Sequence, residues 1–68
     1  MTITVNGTQV SVEYNTTIYD IVCQLSTDPP PSGIAVAHNL DVVPRSEWKN
    51  TSVGENDEIE ILWASSGG

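Results

Sequence analysis

The first residues of the chain alternate between apolar and polar side chains, which is the period of a half-buried β-strand. Ile3 and Val5 lie before an Asn6-Gly7 pair, and Val10 and Val12 lie after it. Asn-Gly is the pair most typical of a two-residue type I′ turn between antiparallel strands. Such a turn places Ile3 opposite Val10, so that both apolar sets share one face of the sheet. The pattern therefore predicts that the chain opens with a β-hairpin.

The spacing of the apolar residues then changes to that of an amphipathic helix over residues 17–25. The apolar stripe of this helix consists of Ile18, Ile21, Val22 and Leu25. Thr17 and Asp20 have the spacing of a capping box, in which each side chain binds the backbone N–H of the other residue. Because β-branched residues lower helix propensity, we expect packing against the sheet to hold this helix.

Three consecutive prolines, Pro29 to Pro31, cannot continue the helix, and they predict a stiff, exposed connector over residues 26–33. Residues 34–38 then predict a short strand. The two faces of that strand are Ile34, Val36 and His38 on one side and Ala35 and Ala37 on the other. The pattern leaves open which face meets the helix.

The remaining residues predict short elements that end in a longer strand. The short elements are a turn at 39–41, a strand at 42–43 that ends at Pro44, one helical turn at 45–49 that carries Trp48, and a turn at 53–57. In the last strand, residues 58–63, the alternation predicts Ile59, Ile61 and Trp63 as core residues. Leu62 then lies on the opposite, solvent-facing side of the strand.

The order of these elements predicts an α+β fold of the β-grasp, or ubiquitin-like, type. In this arrangement a mixed sheet of four to five strands carries one main helix on one face, and the first and last strands lie side by side at its centre. We expect a β-grasp domain over residues 1–63, followed by a flexible C-terminal tail of residues 64–68 that ends in Gly67-Gly68.

Length and charge restrict the class of partner. The 68 residues suffice for one domain, and nine acidic against two basic residues give a formal net charge of -7. Phosphate backbones repel such a chain, so we expect no nucleic-acid binding, whereas a basic protein partner suits it. The sequence has no signal-peptide pattern and no apolar run of the ~20 residues that span a membrane. We therefore expect a cytoplasmic protein that is a monomer on its own.

Few side chains are candidates for catalysis or metal binding. Cys23 is the only cysteine and lies within the predicted helix. We interpret it as a small buried hydrophobic residue, which is the commoner role of such a cysteine. His38 is the only histidine and has no nucleophile beside it in sequence, so we interpret it as a strand-end residue rather than a general base. The acidic residues Glu55, Asp57, Glu58 and Glu60 fit a solvated face better than a metal site. We expect no catalytic residue, no metal and no bound cofactor.

Several stretches resemble the ThiS-type sulfur carriers of thiamine biosynthesis. Residues 35–48 contain A-V-A-H-N and then V-V-P-R-S-E-W, which are similar to the A-x-A-x-N and V-V-P-R-x-x-W of that family. Residues 17–20 resemble its helix start, and residues 54–61, G-E-N-D-E-I-E-I, resemble its entry to the last strand. The final Gly67-Gly68 matches its functional end. The resemblance extends over nearly the whole chain.

The resemblance implies a protein co-substrate rather than an enzyme. An E1-like activating enzyme would use ATP to adenylate the Gly68 carboxylate. A sulfur donor such as a cysteine desulfurase would then allow conversion to a thiocarboxylate, and thiazole synthase would receive the sulfur. The residues expected to thread into the partner are Gly67, Ser66 and Ser65. Trp63 is expected to fix the base of this tail in the core, and Leu62 is a candidate partner contact.

Three other functions stay open on sequence grounds. A molybdopterin-type sulfur carrier would use the same tail chemistry with another acceptor. A ubiquitin-like modifier would join Gly68 to lysines of other proteins. A plain interaction domain would carry Gly67-Gly68 without using it.

Overall fold

The computed structural model describes residues 1–63, so the predicted tail, residues 64–68, lies outside the described part of the chain. The elements are β1 (Thr2–Val5), β2 (Thr8–Ser11), α1 (Ile18–Leu25), β3 (Ile34–His38), β4 (Asp41–Val43), the 3-10 helix η1 (Arg45–Asn50) and β5 (Glu58–Trp63). No helix among the described residues is long and apolar enough to cross a membrane.

The strands form one five-stranded sheet in the order β2-β1-β5-β3-β4. β1 and β5 are neighbours and run parallel, whereas the other three pairs are antiparallel. This mixed sheet, with one main helix on one face, confirms the predicted β-grasp arrangement and its central pair of first and last strands.

The N-terminal hairpin has the predicted register. Ile3 pairs with Val10 and Val5 with Thr8, which leaves Asn6 and Gly7 as the two-residue loop. The loop residues have φ values of 50° and 82°. Both values lie in the left-handed region that a type I′ turn requires and that Asn and Gly tolerate best.

Helix α1 begins with the predicted capping box. The Asp20 N–H donates to Thr17 Oγ1 at 3.2 Å, and the Thr17 N–H donates to a carboxylate oxygen of Asp20 at 3.0 Å. The buried stripe of the helix is formed by Ile18, Ile21 and Val22.

One member of the predicted helix stripe does not belong to the core. Leu25 is 52% exposed, and Val10 on the edge strand β2 is 36% exposed. Leu25 is the last helical residue, and β2 is the outermost strand on this side of the sheet. Helix and hairpin therefore leave apolar side chains uncovered between them.

The core lies between the sheet and the helices. It consists of Ile3, Val5, Ile18, Ile21, Val22, Val36, Trp48, Val53, Ile59 and Ile61. Val36 is buried and Ala35 is exposed, which decides the question that the sequence left open: the Ile34, Val36 and His38 face of β3 is the inner one. Ile59 and Ile61 are the buried residues of β5, as predicted.

The prediction that Trp63 is a core residue is wrong, because its side chain is 48% exposed. The strand alternation places it on the same side as Ile59 and Ile61, but it is the last residue of β5 and pairs with the first residue of β3, Ile34. The buried layer ends before this edge of the sheet. The large buried aromatic residue is instead Trp48, which is 1% exposed.

The prediction that the proline connector is exposed is wrong at Pro30, which is buried. The Arg45 guanidinium explains the difference, since it donates hydrogen bonds to the carbonyl oxygens of Pro30 and Pro31, the latter at 2.8 Å. The connector is therefore held against η1.

Candidate functional site

The residues predicted to carry the chemistry, Gly68, Gly67, Ser66 and Ser65, lie outside the described part of the chain. The structure does describe β5, the strand that leads to them, and the surface around its end. The candidate site is therefore the C-terminal end of β5 with the sheet face beside it.

β5 is the central strand of the sheet. On one side, Thr4 and Val5 of β1 pair with Glu58 and Ile59, and on the other side β3 pairs with β5 as far as Trp63. Backbone hydrogen bonds on both sides and the buried side chains of Ile59 and Ile61 fix this strand. The chain therefore reaches residue 64 from a strand that pairs with β3 as far as Trp63.

Asn6 extends the parallel pairing toward the end of β5. Its backbone N–H donates to the Ile59 carbonyl at 2.9 Å. Its side-chain amide then accepts from the Ile61 N–H at 2.8 Å and donates to the Ile61 carbonyl at 3.3 Å. Sequence analysis found the turn but missed this contact, because Asn-Gly indicates a turn and carries no signal for a partner 55 residues away.

The sheet face away from α1 carries an apolar patch beside the end of β5. We call it the outer patch, and its members are Ala35, Ala37, Val42 and Leu62. Leu62 lies opposite Ala35 and Val42 opposite Ala37 in the strand pairing. Leu62 is 65% exposed and Val42 78% exposed, so the predicted position of Leu62 on the solvent-facing side is confirmed. Its role as a partner contact stays a prediction.

Acidic side chains continue the same face of β5. Glu58 and Glu60 are exposed and alternate with the buried Ile59 and Ile61. Glu60 lies opposite Ala37 of the outer patch. The face therefore combines an apolar centre with negative charge along one strand, which suits a partner surface that is apolar with basic residues around it.

His38 has a partner that sequence analysis missed. Its Nε2 lies 2.6 Å from Asp57 Oδ2, and both side chains are partly buried. The same carboxylate accepts the Gly54 N–H at 2.6 Å and the Asn39 side-chain amide at 3.1 Å. Burial of Asp57 opposes ionisation, but the hydrogen bonds from His38, Gly54 and Asn39 outweigh it and lower the pKa of this carboxyl. The group joins two turns, and its hydrogen-bond partners within residues 1–63 include no nucleophile, which fits a structural role.

The other chemically reactive side chain, Cys23, lies close to Tyr19 and Asp28. Burial raises the pKa of its thiol, and the Asp28 carboxylate raises it further. The thiol is therefore protonated at neutral pH and is a weak nucleophile. Among residues 1–63, no three His, Cys, Asp or Glu side chains lie together as a metal site would require.

The V-V-P-R-x-x-W stretch has a structural role. The Trp48 indole N–H donates to the Val43 carbonyl at 2.9 Å, and the Arg45 guanidinium carbon lies 5.1 Å from the centre of the Trp48 ring. Because Arg45 also binds the proline connector, this stretch closes the core on the side of η1.

Comparisons with known proteins agree with this architecture. The model of the ThiS family matches residues 3–68. The crystal structure of a thiamine biosynthesis protein (ThiS) from Geobacter metallireducens superposes with a TM-score of 0.80 and 26% sequence identity, covering 100% of both chains. No curated protein matches the chain. The β-grasp fold and the match over nearly the entire sequence show that the chain belongs to the ThiS family of sulfur carriers.

Proposed function

We propose that the protein carries sulfur for thiazole formation in thiamine biosynthesis, as a co-substrate of its partner enzymes. The observation that best supports this proposal is the family match, which includes Gly67 and Gly68. The fold is consistent with it, since β5 lies at the centre of the sheet and leads directly to residue 64. In this proposal the reactive atom is the carboxyl carbon of Gly68.

The chemistry begins with activation of this carboxyl group by a partner. An α-carboxyl group has a pKa of about 3.3–3.7, so it is ionised at neutral pH and needs no general base. One carboxylate oxygen attacks the α-phosphorus of ATP and expels pyrophosphate. Sulfide, which a thiol reductant releases from the persulfide of a cysteine desulfurase, then attacks the carbonyl carbon and expels AMP. The resulting thiocarboxylate delivers its sulfur to thiazole synthase.

The partner must supply the ATP site. ATP carries several negative charges, and this chain has a net charge of -7 with only two basic residues, Arg45 and Lys49. Arg45 is engaged by the proline connector and by Trp48, and the Lys49 ammonium lies 4.6 Å from the centre of the Tyr19 ring. An E1-like activating enzyme with its own ATP site fulfils the requirement.

The outer patch is the surface we assign to docking of the activating enzyme. It is apolar, it lies next to the strand end, and Glu60 beside it can meet a basic residue of the partner. Leu62 is the most prominent side chain of the patch near that end. Slim residues at Ser65, Ser66 and Gly67 would allow a narrow channel to admit the chain, because glycine permits close approach of backbones.

The test is to incubate the protein with its cognate activating enzyme, ATP and sodium sulfide, and to measure the intact mass. We expect one oxygen to be replaced by sulfur at Gly68. A variant that lacks Gly67 and Gly68 should stay unmodified and should keep the wild-type circular dichroism spectrum. The proposal fails if the wild-type protein stays unmodified with an enzyme that demonstrably binds it.

Leu62→Glu tests the docking surface. We expect kcat/KM for activation to fall by about tenfold or more, as for other central apolar contacts. Leu25→Glu is the matched control, because it places the same charge at an exposed leucine of α1 that is outside the outer patch. Equal effects of the two substitutions would contradict the assignment of the outer patch.

A further inference from the structure

A groove runs between β2 and α1, outside the outer patch. Its apolar wall consists of Val5, Val10, Val12, Ile21 and Leu25, and its volume is about 330 Å³. The polar residues that line it are uncharged, although the chain as a whole carries a charge of -7. We call it the β2–α1 groove. It exists because the helix leaves the inner face of β2 partly uncovered.

The strand that borders this groove lies at an edge of the sheet. Within residues 1–63, β2 pairs with β1 alone, and no strand of that range lies on its other side. The N-terminal ammonium of Met1 donates to the Val12 carbonyl, and the Val12 N–H donates to the Met1 carbonyl, each at 2.8 Å. Because bonded and non-bonded pairs alternate in an antiparallel ladder, the N–H and C=O groups of Gln9 and Ser11 point away from β1.

Natural edge strands are usually protected by charges, prolines or bulges that prevent pairing with another chain. β2 has the sequence TQVS, without a charge or a proline, and it pairs with β1 residue for residue. Its outward backbone groups can therefore bind an added strand, whose side chains on one face would enter the β2–α1 groove.

The groove continues into an acidic end. A second depression, which shares Ser11, Val12 and Gln24 with the first, is lined by the carboxylates of Glu13, Asp20 and Asp28. Lys49 over the Tyr19 ring, Arg45 on the proline carbonyls and the N-terminal ammonium of Met1, which donates to the Val12 carbonyl, are the nearby cations. Among residues 1–63, the lining of this depression contains these three carboxylates and no basic side chain, so the lining itself is acidic.

We propose that the β2–α1 groove binds an extended segment of a partner protein, in which Lys and Arg residues are followed by alternating apolar residues. The segment adds to β2 as a sixth strand. It runs antiparallel, because this pairing is slightly more stable, so that its basic residues lie at Glu13 and its apolar residues lie between Val10 and Leu25.

Charge distinguishes this occupant from the two others that the chain itself could provide. A second copy would bring another net charge of -7, and its two basic side chains lie on η1. Residues 64–68 contain no basic residue at all. Neither complements the acidic end, whereas a basic segment does.

The probe is a fluorescein-labelled peptide of Lys-Arg-Lys followed by alternating Val and Thr, titrated with the full-length protein and followed by anisotropy. We expect saturable binding that weakens with salt, and about tenfold weaker binding of a peptide with Glu in place of the basic residues. In a ¹⁵N spectrum, we expect the peptide to shift the amide signals of Gln9, Ser11 and Leu25 and not those of the outer patch.

Two substitutions complete the test. Leu25→Glu, at a half-exposed position, and Ser11→Pro, which removes an outward N–H that bonds nothing in β1, should each weaken binding by about tenfold. Leu62→Glu is the matched control and should bind like the wild type. Sulfur loading should instead be slowed by Leu62→Glu and left unchanged by Leu25→Glu. Failure of this proposal is therefore distinguishable from failure of the carrier function.

Four results would overturn the proposal. The first is no saturable binding of the basic peptide, and the second is amide shifts confined to the outer patch. The third is a dimer in sedimentation that the peptide dissociates, which would make a second copy the occupant. The fourth is at least tenfold tighter peptide binding after removal of residues 64–68, which would make that segment the occupant.

Discussion

Asn6 connects the first turn of the chain with its last strand. Its φ of 50° suits the type I′ turn, and Gly would suit that turn equally well. Only a side-chain amide, however, can also accept from the Ile61 N–H and donate to the Ile61 carbonyl. Asn at this position therefore differs from Gly in the hydrogen bonds that it makes to β5, and not in how well it fits the turn.

Replacing this residue tests how much the contact contributes. We expect Asn6→Gly to lower the free energy of unfolding by about 1–2 kcal/mol, since two hydrogen bonds are lost and a partly buried N–H is left without its acceptor. Denaturant unfolding measures the loss, and hydrogen exchange of the Ile61 amide should accelerate beyond that of Ile59.

Asn15→Gly is the matched control for the backbone. Asn15 is an exposed turn residue with a similar φ of 69°, and its side chain makes none of the hydrogen bonds found among residues 1–63. It should change stability by only a few tenths of a kcal/mol. If both variants lose the same stability, the side chain of Asn6 contributes nothing to β5.

Single residues also show what alternation along a strand can and cannot predict. The period of two gave the correct side for Ile59, Ile61 and Leu62. The alternation does not show how far along the strand the buried layer extends. It therefore predicts Trp63 as a core residue, although Trp63 lies beyond that layer. Trp48 could not be recognised as the central aromatic residue, because its burial depends on the docking of η1 and has no periodic signal.

At the scale of elements, Asp57 joins the turn after β3 to the turn before β5. The Asn39 side chain takes part twice, since it donates to Asp57 and accepts from the Glu58 N–H at 2.8 Å. The ionised form of Asp57 is the one that accepts these hydrogen bonds, which is why its pKa is lowered in the folded protein.

This lowered pKa makes stability depend on pH in acid. The unfolded chain binds a proton at this carboxyl at a higher pH than the folded chain, so the contribution is complete well above pH ~4 and is lost as pH falls through the folded pKa. We expect Asp57→Asn to cost roughly 1–3 kcal/mol at pH 7, and the difference from the wild type to shrink toward pH ~2 in urea unfolding series.

Asp41→Asn provides the matched control. Asp41 is an exposed carboxylate at the start of β4, and it accepts none of the side-chain hydrogen bonds found among residues 1–63. It should leave the stability curve almost unchanged. A difference between the wild type and Asp57→Asn that stays constant from neutral pH to pH ~2 would show that the lowered pKa does not contribute to stability.

The elements differ in how far local rules determine them. The hairpin and α1 could be predicted because their signals, Asn6-Gly7 and the capping box of Thr17 and Asp20, act over a few residues. The proline connector was predicted to be exposed because its burial at Pro30 depends on Arg45, which is distant in sequence. His38 was predicted to end a strand, which it does, but its partner Asp57 belongs to another turn.

At the scale of the whole molecule, the two sides of the sheet have different uses. The inner side is filled by α1 and η1, whereas no element within residues 1–63 covers the outer side, which carries the outer patch and the acidic residues of β5. The order of the elements was enough to predict the fold class.

Of the outer patch, the sequence could predict only Leu62. The sequence did not decide which face of β3 is buried, and Ala35, Ala37 and Val42 become neighbours only through strand pairing. The β2–α1 groove had no sequence signal, since it arises where the helix falls short of the edge strand.

The distribution of charge over the whole molecule gives the last prediction. Both basic side chains, Arg45 and Lys49, lie on η1, and β5, which carries the acidic residues of the outer face, contains no basic residue. A partner that approaches this face is attracted over a distance of about one Debye length, ~10 Å at 0.1 M salt. We therefore expect kcat/KM for sulfur loading to fall steadily as salt rises, with kcat little changed, because salt acts on association rather than on the bound complex.

The position of the charge, and not only its sum, should matter. Glu60→Gln and Glu47→Gln remove the same charge, but Glu60 lies opposite Ala37 of the outer patch, whereas Glu47 lies on η1. Glu60→Gln should lower kcat/KM by about twofold to threefold at low salt and make its salt dependence shallower, while Glu47→Gln should have a smaller effect. Identical salt curves for the two variants would mean that the partner senses only the net charge of -7, and docking at the outer patch would then need another explanation.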